Sequence, residues 1–456
     1  MSDELMNEEI IIKNEEDVID ESLEEDVIDE SLEEDVIDES LEEEFESIID
    51  SDVIKEEVNK TLSDLKVNIT EDDIKKYKKS KPKKDLPTPD EVNEMSDKEI
   101  IEKSSSEIKE LYSEFSSFVQ NKTGIIEDAG IKNTISTGID LLDAVLGGGF
   151  AIGTMGMVVG FPGCGKSMLS MQTVGSGQLK YKGNLIAAYL DSEEATTTIR
   201  LSNLGVRYPK IRPYTNITIE KTFKFIEGLC SFKELKEIID QPSIVVLDSL
   251  ANTLSEKERE ATDINSVIGY KSRLLSILIP KYISKLSHYN ILFLVVNQLR
   301  DSIKIGPFQE AKELNFMRQG KTIPGGNTAR FNTFQLVDMK VKSTLDKTKY
   351  GFDGIMCEIK LVKNKLFTPN IKTIIVGNFV TGFSNFWTNY VFLAENKRIN
   401  TGAWNSLASY TSKKFRTVEA ENLYNTDESF KEAFDREIED CIKVEIKEKY
   451  NPDLGF

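Results

Sequence analysis

The stretch Gly160-Phe161-Pro162-Gly163-Cys164-Gly165-Lys166-Ser167, followed by Met168, constrains this chain more than any other. It has the GxxxxGKS spacing, and it stands directly after an apolar run, Met155 to Val159, and before a helical run read as beginning at Met168. A strand that turns through glycines into a helix aims backbone N–H groups and the positive end of the helix dipole at one point, which suits a polyphosphate. Lys166 adds a positive charge where β- and γ-phosphates would lie, and the Ser167 hydroxyl is placed to ligate Mg²⁺. The loop therefore predicts a bound nucleoside polyphosphate together with Mg²⁺. It also predicts an α/β fold in which several strands deliver polar groups to one sheet edge.

The rest of the chain supplies those strands. Leu185 to Leu190, Ile244 to Leu247 and Ile291 to Val296 are apolar runs separated by long helical stretches, the pattern of a mostly parallel twisted sheet covered on both faces. Each run ends in polar residues. Asp248, after Ile244 to Leu247, is the carboxylate expected to complete the metal site. Asp191-Ser192-Glu193-Glu194 offers carboxylates that could polarise a water attacking the γ-phosphate, and spacing alone allows either glutamate. Asn297-Gln298 supplies amides that can sense a γ-phosphate by hydrogen bonding. The segment Leu299 to Thr322 is long and cationic, with Arg300, Lys304, Lys312, Arg318 and Lys321, and leads into Pro324-Gly325-Gly326-Asn327. Loops of that length inside compact domains are generally functional or disordered.

Charge is distributed very unevenly. Of 78 acids and 57 bases, 24 acids and one base fall in residues 1–50, leaving 54 acids against 56 bases in the remaining chain. The formal net charge of −21 thus describes an arm and does not exclude a nucleic-acid partner for the body. Within the arm the nonapeptide Glu15 to Leu23, EEDVIDESL, occurs three times in tandem to Leu41. Such charge density cannot bury enough apolar surface to offset chain entropy, so residues 1–50 are predicted to be disordered. A lysine-rich linker spans 51–95, an amphipathic helical segment 96–130, the phosphate-binding α/β core 131–394 and a small α-rich C-terminal domain 395–456. The apolar stripe Phe430, Ala433, Phe434, Ile438 and Cys441 marks a helix in the last of these.

Several function classes are excluded or disfavoured. His288 is the only histidine, which rules out multi-histidine metal sites, and the four cysteines form no CxxC pair. No apolar run approaches the roughly 18–20 residues that span a bilayer. Nor does the acidic start read as a signal peptide. A soluble intracellular protein with no membrane partner is expected.

The order of these motifs resembles the RecA family of strand-exchange ATPases. The matching residues are the lead-in Ile135-Ser-Thr-Gly-Ile-Asp-Leu-Leu142 and Leu146 to Phe150, the phosphate loop, Leu190-Asp-Ser-Glu193 and Val245 to Ser249. They continue with Asn297-Gln298-Leu-Arg300, Pro324-Gly-Gly-Asn327, Val362-Lys363-Asn364-Lys365 and Thr401-Gly-Ala-Trp404. The first motifs are shared with KaiC-like and replicative-helicase ring ATPases; the later ones are more specific to bacterial and phage recombinases. Divergent wording and unusual flanks point to a phage enzyme of the UvsX type, acting in the cytoplasm of a bacterial host.

The resemblance implies a DNA-dependent ATPase that forms a helical homo-oligomeric filament on single-stranded DNA and pairs it with double-stranded DNA. A recombination mediator and a single-strand-binding protein are possible partners. It further implies that Glu193 is the catalytic glutamate and that Gln298 couples nucleotide state to the DNA loop. Lys363 and Lys365 would reach the ATP of a neighbouring subunit. The segment 299–327, including Gly325, Gly326 and Asn327, would be the main DNA-binding loop, with 254–269 the other. The alternatives are a ring ATPase and a nucleotide-dependent mediator with little turnover.

Overall fold

The computed structural model describes residues 133–207, 211–263, 269–301 and 321–450, with single positions at 72, 117, 267, 317 and 318. The acidic arm, the lysine-rich linker and the amphipathic segment before residue 131 lie outside the described residues, apart from those single positions.

Eight strands form the central sheet: β1 (Met155–Gly160), β2 (Ile186–Asp191), β3 (Ser243–Asp248), β4 (Ile291–Gln298), β5 (Gln335–Leu345), β6 (Gly354–Asn364), β7 (Lys372–Asn378) and β8 (Gly382–Ser384). Their order is β8-β7-β6-β5-β1-β4-β3-β2. The five strands from β5 to β2 are parallel neighbours. The three beyond β5 are antiparallel, joined through short connections that need no crossover helix. The sheet is thus mostly parallel, as its apolar runs predict.

Side chains alternate between two cores, as strand geometry requires. Val158, Tyr189, Val246, Leu294 and Val337 belong to one buried cluster. Val159, Leu190, Val245, Val295 and Leu336 belong to the other. The first contains Met168, Leu169, Met171 and Val174 of the helix Lys166–Lys180. The second contains Ile219, Phe223 and Ile226 of the helix Ile219–Leu235, and Leu275, Ile279 and Tyr282 of the helix Tyr270–His288. Burial on both faces explains why the parallel strands read as continuous apolar runs rather than alternating ones.

The C-terminal region carries the expected helices and, ahead of them, a small antiparallel sheet of Ile399–Asn400, Asn405–Leu407 and Tyr410–Phe415 that the sequence did not indicate. Helices Ala420–Thr426 and Glu428–Ile442 follow, and all five residues of the apolar stripe are buried. They join the same cluster as the first face of the central sheet. Trp387, on the helix Asn385–Glu395, ties this region down. It is 1% exposed, its indole N–H donates to Glu421 Oε2 at 2.9 Å, and its ring meets Tyr350, Phe386 and Tyr390 edge-on. Replacing it leaves a large void, so Trp387→Ala is expected to lower unfolding free energy by about 3–5 kcal/mol, read as a shifted midpoint in urea.

Candidate nucleotide-binding site

Because β1 to β4 are parallel, their C-terminal ends share one edge, and the polar residues that follow them converge there. In register, Asp191 lies opposite Asp248 and Gly160 opposite Gln298. Ser192 clasps the ends of β2 and β3. Its N–H donates to Asp248 O at 2.8 Å, and its hydroxyl accepts from the Ser249 N–H at 2.9 Å.

The loop from Gly160 to Gly165 depends on the absence of side chains at two points. Gly165 caps the helix with φ 87°, and a Cβ there would lie 2.7 Å from Phe383 Cζ. A Cβ on Gly160 would lie 2.5 Å from the Met339 carbonyl oxygen. The helix starts at Lys166, two residues before the position read from the sequence, so its first free N–H groups belong to the motif itself. Lys166 is largely buried, and its Nζ donates to Phe161 O at 2.9 Å. Cys164 is also buried, and burial pushes its thiol up against the opposing effect of Lys166.

Asp248 is the hub of the edge. It is 5% exposed, and it accepts hydrogen bonds from Ser167 and from the Tyr189 hydroxyl, the latter at 2.6 Å. Burial raises its carboxyl above the usual range, the two hydrogen bonds oppose this, and the Glu193 and Asp191 carboxylates add to it. A cation beside Asp248 and Ser167 would relieve that excess of negative charge. The donor set, one carboxylate and one hydroxyl, is hard oxygen and sparse. It suits Mg²⁺, which keeps several waters and takes phosphate oxygens as further ligands. Among the described residues no cluster of three or more His, Cys, Asp or Glu forms an all-protein metal cage.

The two glutamates that spacing leaves equivalent are separated. Glu193 Oε1 accepts from Ser249 Oγ at 3.0 Å and Asn252 Nδ2 at 2.7 Å, beside Asp248. Glu194 turns away, with φ 55°, and accepts from the Asn216 N–H at 3.2 Å. Asp191 is a turn anchor. Its carboxylate takes the N–H groups of Glu193 and Glu194 at 3.0 Å and of Thr196 at 2.7 Å. Asn297 is a staple, its Nδ2 donating to Pro324 O at 2.8 Å, which leaves Gln298 as the amide level with the phosphate loop.

The long segment leaves and returns as a short antiparallel stem, Arg300–Asp301 against Lys321–Thr322, anchored where Leu299 N–H meets Gly160 O at 3.2 Å. Lys304 and Lys312 lie outside the described residues. Arg318, expected among the DNA-contacting cations, is engaged within the chain. Its guanidinium donates to Asp338 Oδ1 and Met339 O, each at 2.7 Å, and lies 5.4 Å from the centre of the Phe161 ring. Lys321 Nζ is 5.1 Å from the same ring. Gly325 and Gly326 open the helix Gly326–Asn332 with positive φ and pack against Leu250 and Ser272, and Asn327 accepts from Arg330. These three have local structural roles in addition to any contact with DNA.

Lys363 and Lys365 stand elsewhere. Lys363 pairs with Leu336, which pairs with Met157, so it lies about 10 Å upstream of Gly160 along the strands and two strands to the side. Its Nζ donates to Phe331 O at 2.6 Å, and burial, then the neighbouring Lys365, lowers its pKa. The Lys365 N–H donates to Phe334 O, and the Phe334 N–H in turn to Met155 O at the start of β1. Both lysines thus occupy the edge of the sheet opposite the phosphate loop.

Sequence reasoning missed Tyr189, Asn252 and Asp338. A tyrosine two residues before Asp191 on an otherwise apolar strand was a usable signal, since a buried phenol needs a partner and i, i+2 residues share a face. Asn252 and Asp338 carried no local signal.

Together the loop, Asp248 and the ordered strand ends define a P-loop nucleotide-binding α/β domain. The family described as the RecA N-terminal domain matches residues 101–383, well over half of the chain, and the chain belongs to the RecA family. It is 28% identical over 236 residues to Protein RecA of Synechocystis, covering 52% of this chain and 61% of that one. Protein RecA of Crocosphaera subtropica is 27% identical with 62% of its length covered, and that of one Prochlorococcus marinus strain 29% identical with 58% covered. The chain therefore spans about six tenths of the length of these curated relatives.

Burial holds Asp338 up at about 6, although Arg318 opposes the shift. Between pH 4 and 6 the folded state keeps a proton that the unfolded chain has released, so the stability contributed by this group falls as pH rises through that window. Asp338→Asn is expected to remove that slope, seen by comparing urea unfolding of the variant and wild type from pH 4 to 7.

Proposed function

We propose that this chain is an ATP- and Mg²⁺-dependent DNA recombinase. It assembles as a helical filament on single-stranded DNA, pairs that strand with a homologous duplex, and uses hydrolysis to turn the filament over. The observation that carries this reading is the division of charged groups between two edges of one sheet. The phosphate loop, Asp248, Glu193, Gln298 and the stem of the cationic loop share one edge, while Lys363 and Lys365 lie on the other.

In this reading Lys166 and the backbone N–H groups of Gly163 to Ser167 hold the phosphates. Ser167 and Asp248 hold Mg²⁺, which neutralises charge on the β- and γ-phosphates when bound. Glu193 orients and deprotonates the attacking water. Gln298 senses the γ-phosphate and passes its state to the loop that begins at Leu299. Lys363 and Lys365 stabilise charge on the ATP of the next subunit, which their own loop cannot offer them. Arg300, Lys304, Lys312 and Lys321 contact the phosphodiester chain and leave bases free to pair. Arg318 links that loop to Phe161 and Asp338. A phage origin of the UvsX type, and partnership with a mediator and a single-strand-binding protein, belong to the same proposal.

Single-stranded DNA is expected to stimulate ATP turnover. Lys166→Ala should abolish turnover, and Glu193→Gln should slow it about 100-fold or more while nucleotide affinity holds. A wild-type rate for Glu193→Gln would remove that carboxylate from the chemistry.

Action across subunits has its own readout. Lys363→Ala mixed with Lys166→Ala should recover turnover, because intact lysines of one variant meet an intact phosphate loop of the other. No recovery at any ratio would refute it, and closed rings instead of open filaments in electron micrographs would refute the assembly.

A further inference from the structure

We infer that Asn252 is a positioning residue for Glu193, an inference that rests on reading Glu193 as the group that activates water. Glutamate has three rotatable side-chain bonds, and Glu193 is exposed, so an unheld carboxylate would spread over many rotamers. Two neutral donors prevent this by meeting the same oxygen. Ser249 Oγ and Asn252 Nδ2 reach Oε1 at 3.0 and 2.7 Å, which leaves Oε2 as the oxygen that can face a water. A cation in either place would weaken the carboxylate as a base; a hydroxyl and an amide orient it without cancelling its charge.

The platform that carries Asn252 is itself fixed. The Asn252 and Thr253 N–H groups and the Thr253 hydroxyl all converge on Ser249 O, at 3.2, 3.1 and 2.8 Å. Leu250 N–H donates to Val296 O on β4 at 2.9 Å. Lys271, in the first turn of the helix Tyr270–His288, donates to Leu250 O at 2.5 Å and Ala251 O at 3.3 Å. On the other side, Asp191 fixes the Glu193 backbone. The carboxylate is thus held between two rigid turns on neighbouring strands, and Asn252 closes the gap between them. Asn252 is exposed, so shortening it leaves the core intact.

The test is steady-state ATP turnover by the full chain, with single-stranded DNA, for Asn252→Ala and Asn252→Asp. Losing the donor should lower kcat about tenfold with KM for ATP unchanged, because one charge-assisted hydrogen bond is removed and nothing that binds phosphate is touched. Asn252→Asp preserves shape but repels Glu193, so it should be impaired at least as much as the alanine variant; a purely space-filling role would spare it. On a Glu193→Gln background, Asn252→Ala should cost nothing further. A slow Glu193→Gln with a wild-type Asn252→Ala overturns this inference alone, as does a raised KM with unchanged kcat. A wild-type Glu193→Gln overturns the reading beneath it.

Discussion

The register of five parallel strands decides where every polar group of the site stands. Pairing Asp191 with Asp248, and Gly160 with Gln298, puts carboxylates, amide and phosphate loop at one level with no long side chain needed to bridge them. A slip of one residue in β2 or β3 would turn Tyr189 or Val246 to the opposite core and carry Asp191 or Asp248 away from the edge. The two cores that lock the register are therefore also what aligns the site, and the Ser192 clasp finishes the alignment where the strands end.

Asp248 shows how buried polar groups are accommodated there. A carboxylate at that depth would be costly without partners, and Ser167 and Tyr189 supply them from two other elements. The hydrogen bond from Tyr189 comes from within the first core, so packing and site geometry are coupled through one hydroxyl. Phe161 makes a comparable link on the loop itself. Its carbonyl meets Lys166, and its ring lies under Arg318 and beside Lys321, so the phosphate loop and the end of the cationic loop share a residue.

Much of this was legible in the sequence because it rests on local pattern. The GxxxxGKS spacing, the apolar runs and the aspartate at the end of Ser243–Asp248 each report a short-range constraint. The antiparallel half of the sheet and the small C-terminal sheet were not, since β5 is buried along its first half and exposed along its second while β6 and β7 mix buried with part-exposed positions, so none reads as one continuous apolar run. Spacing could not separate Glu193 from Glu194 either. What separates them is a left-handed backbone at Glu194 and donors some 56 to 59 residues further along the chain. Arg318 read as a free cation because its partner, Asp338, lies across the loop on a central strand.

The position of Lys363 and Lys365 on the far edge has a consequence for counting. Under the proposed action across subunits, a subunit that offers a phosphate loop at one edge and cations at the other would join its neighbours head to tail, through two unlike surfaces. In an open row of n such subunits only n − 1 sites would be complete, and the two terminal subunits would differ, one lacking a donor of cations and the other a recipient. Turnover per subunit would then rise with the length of the row, and growth and loss at its two ends would have no reason to proceed at equal rates.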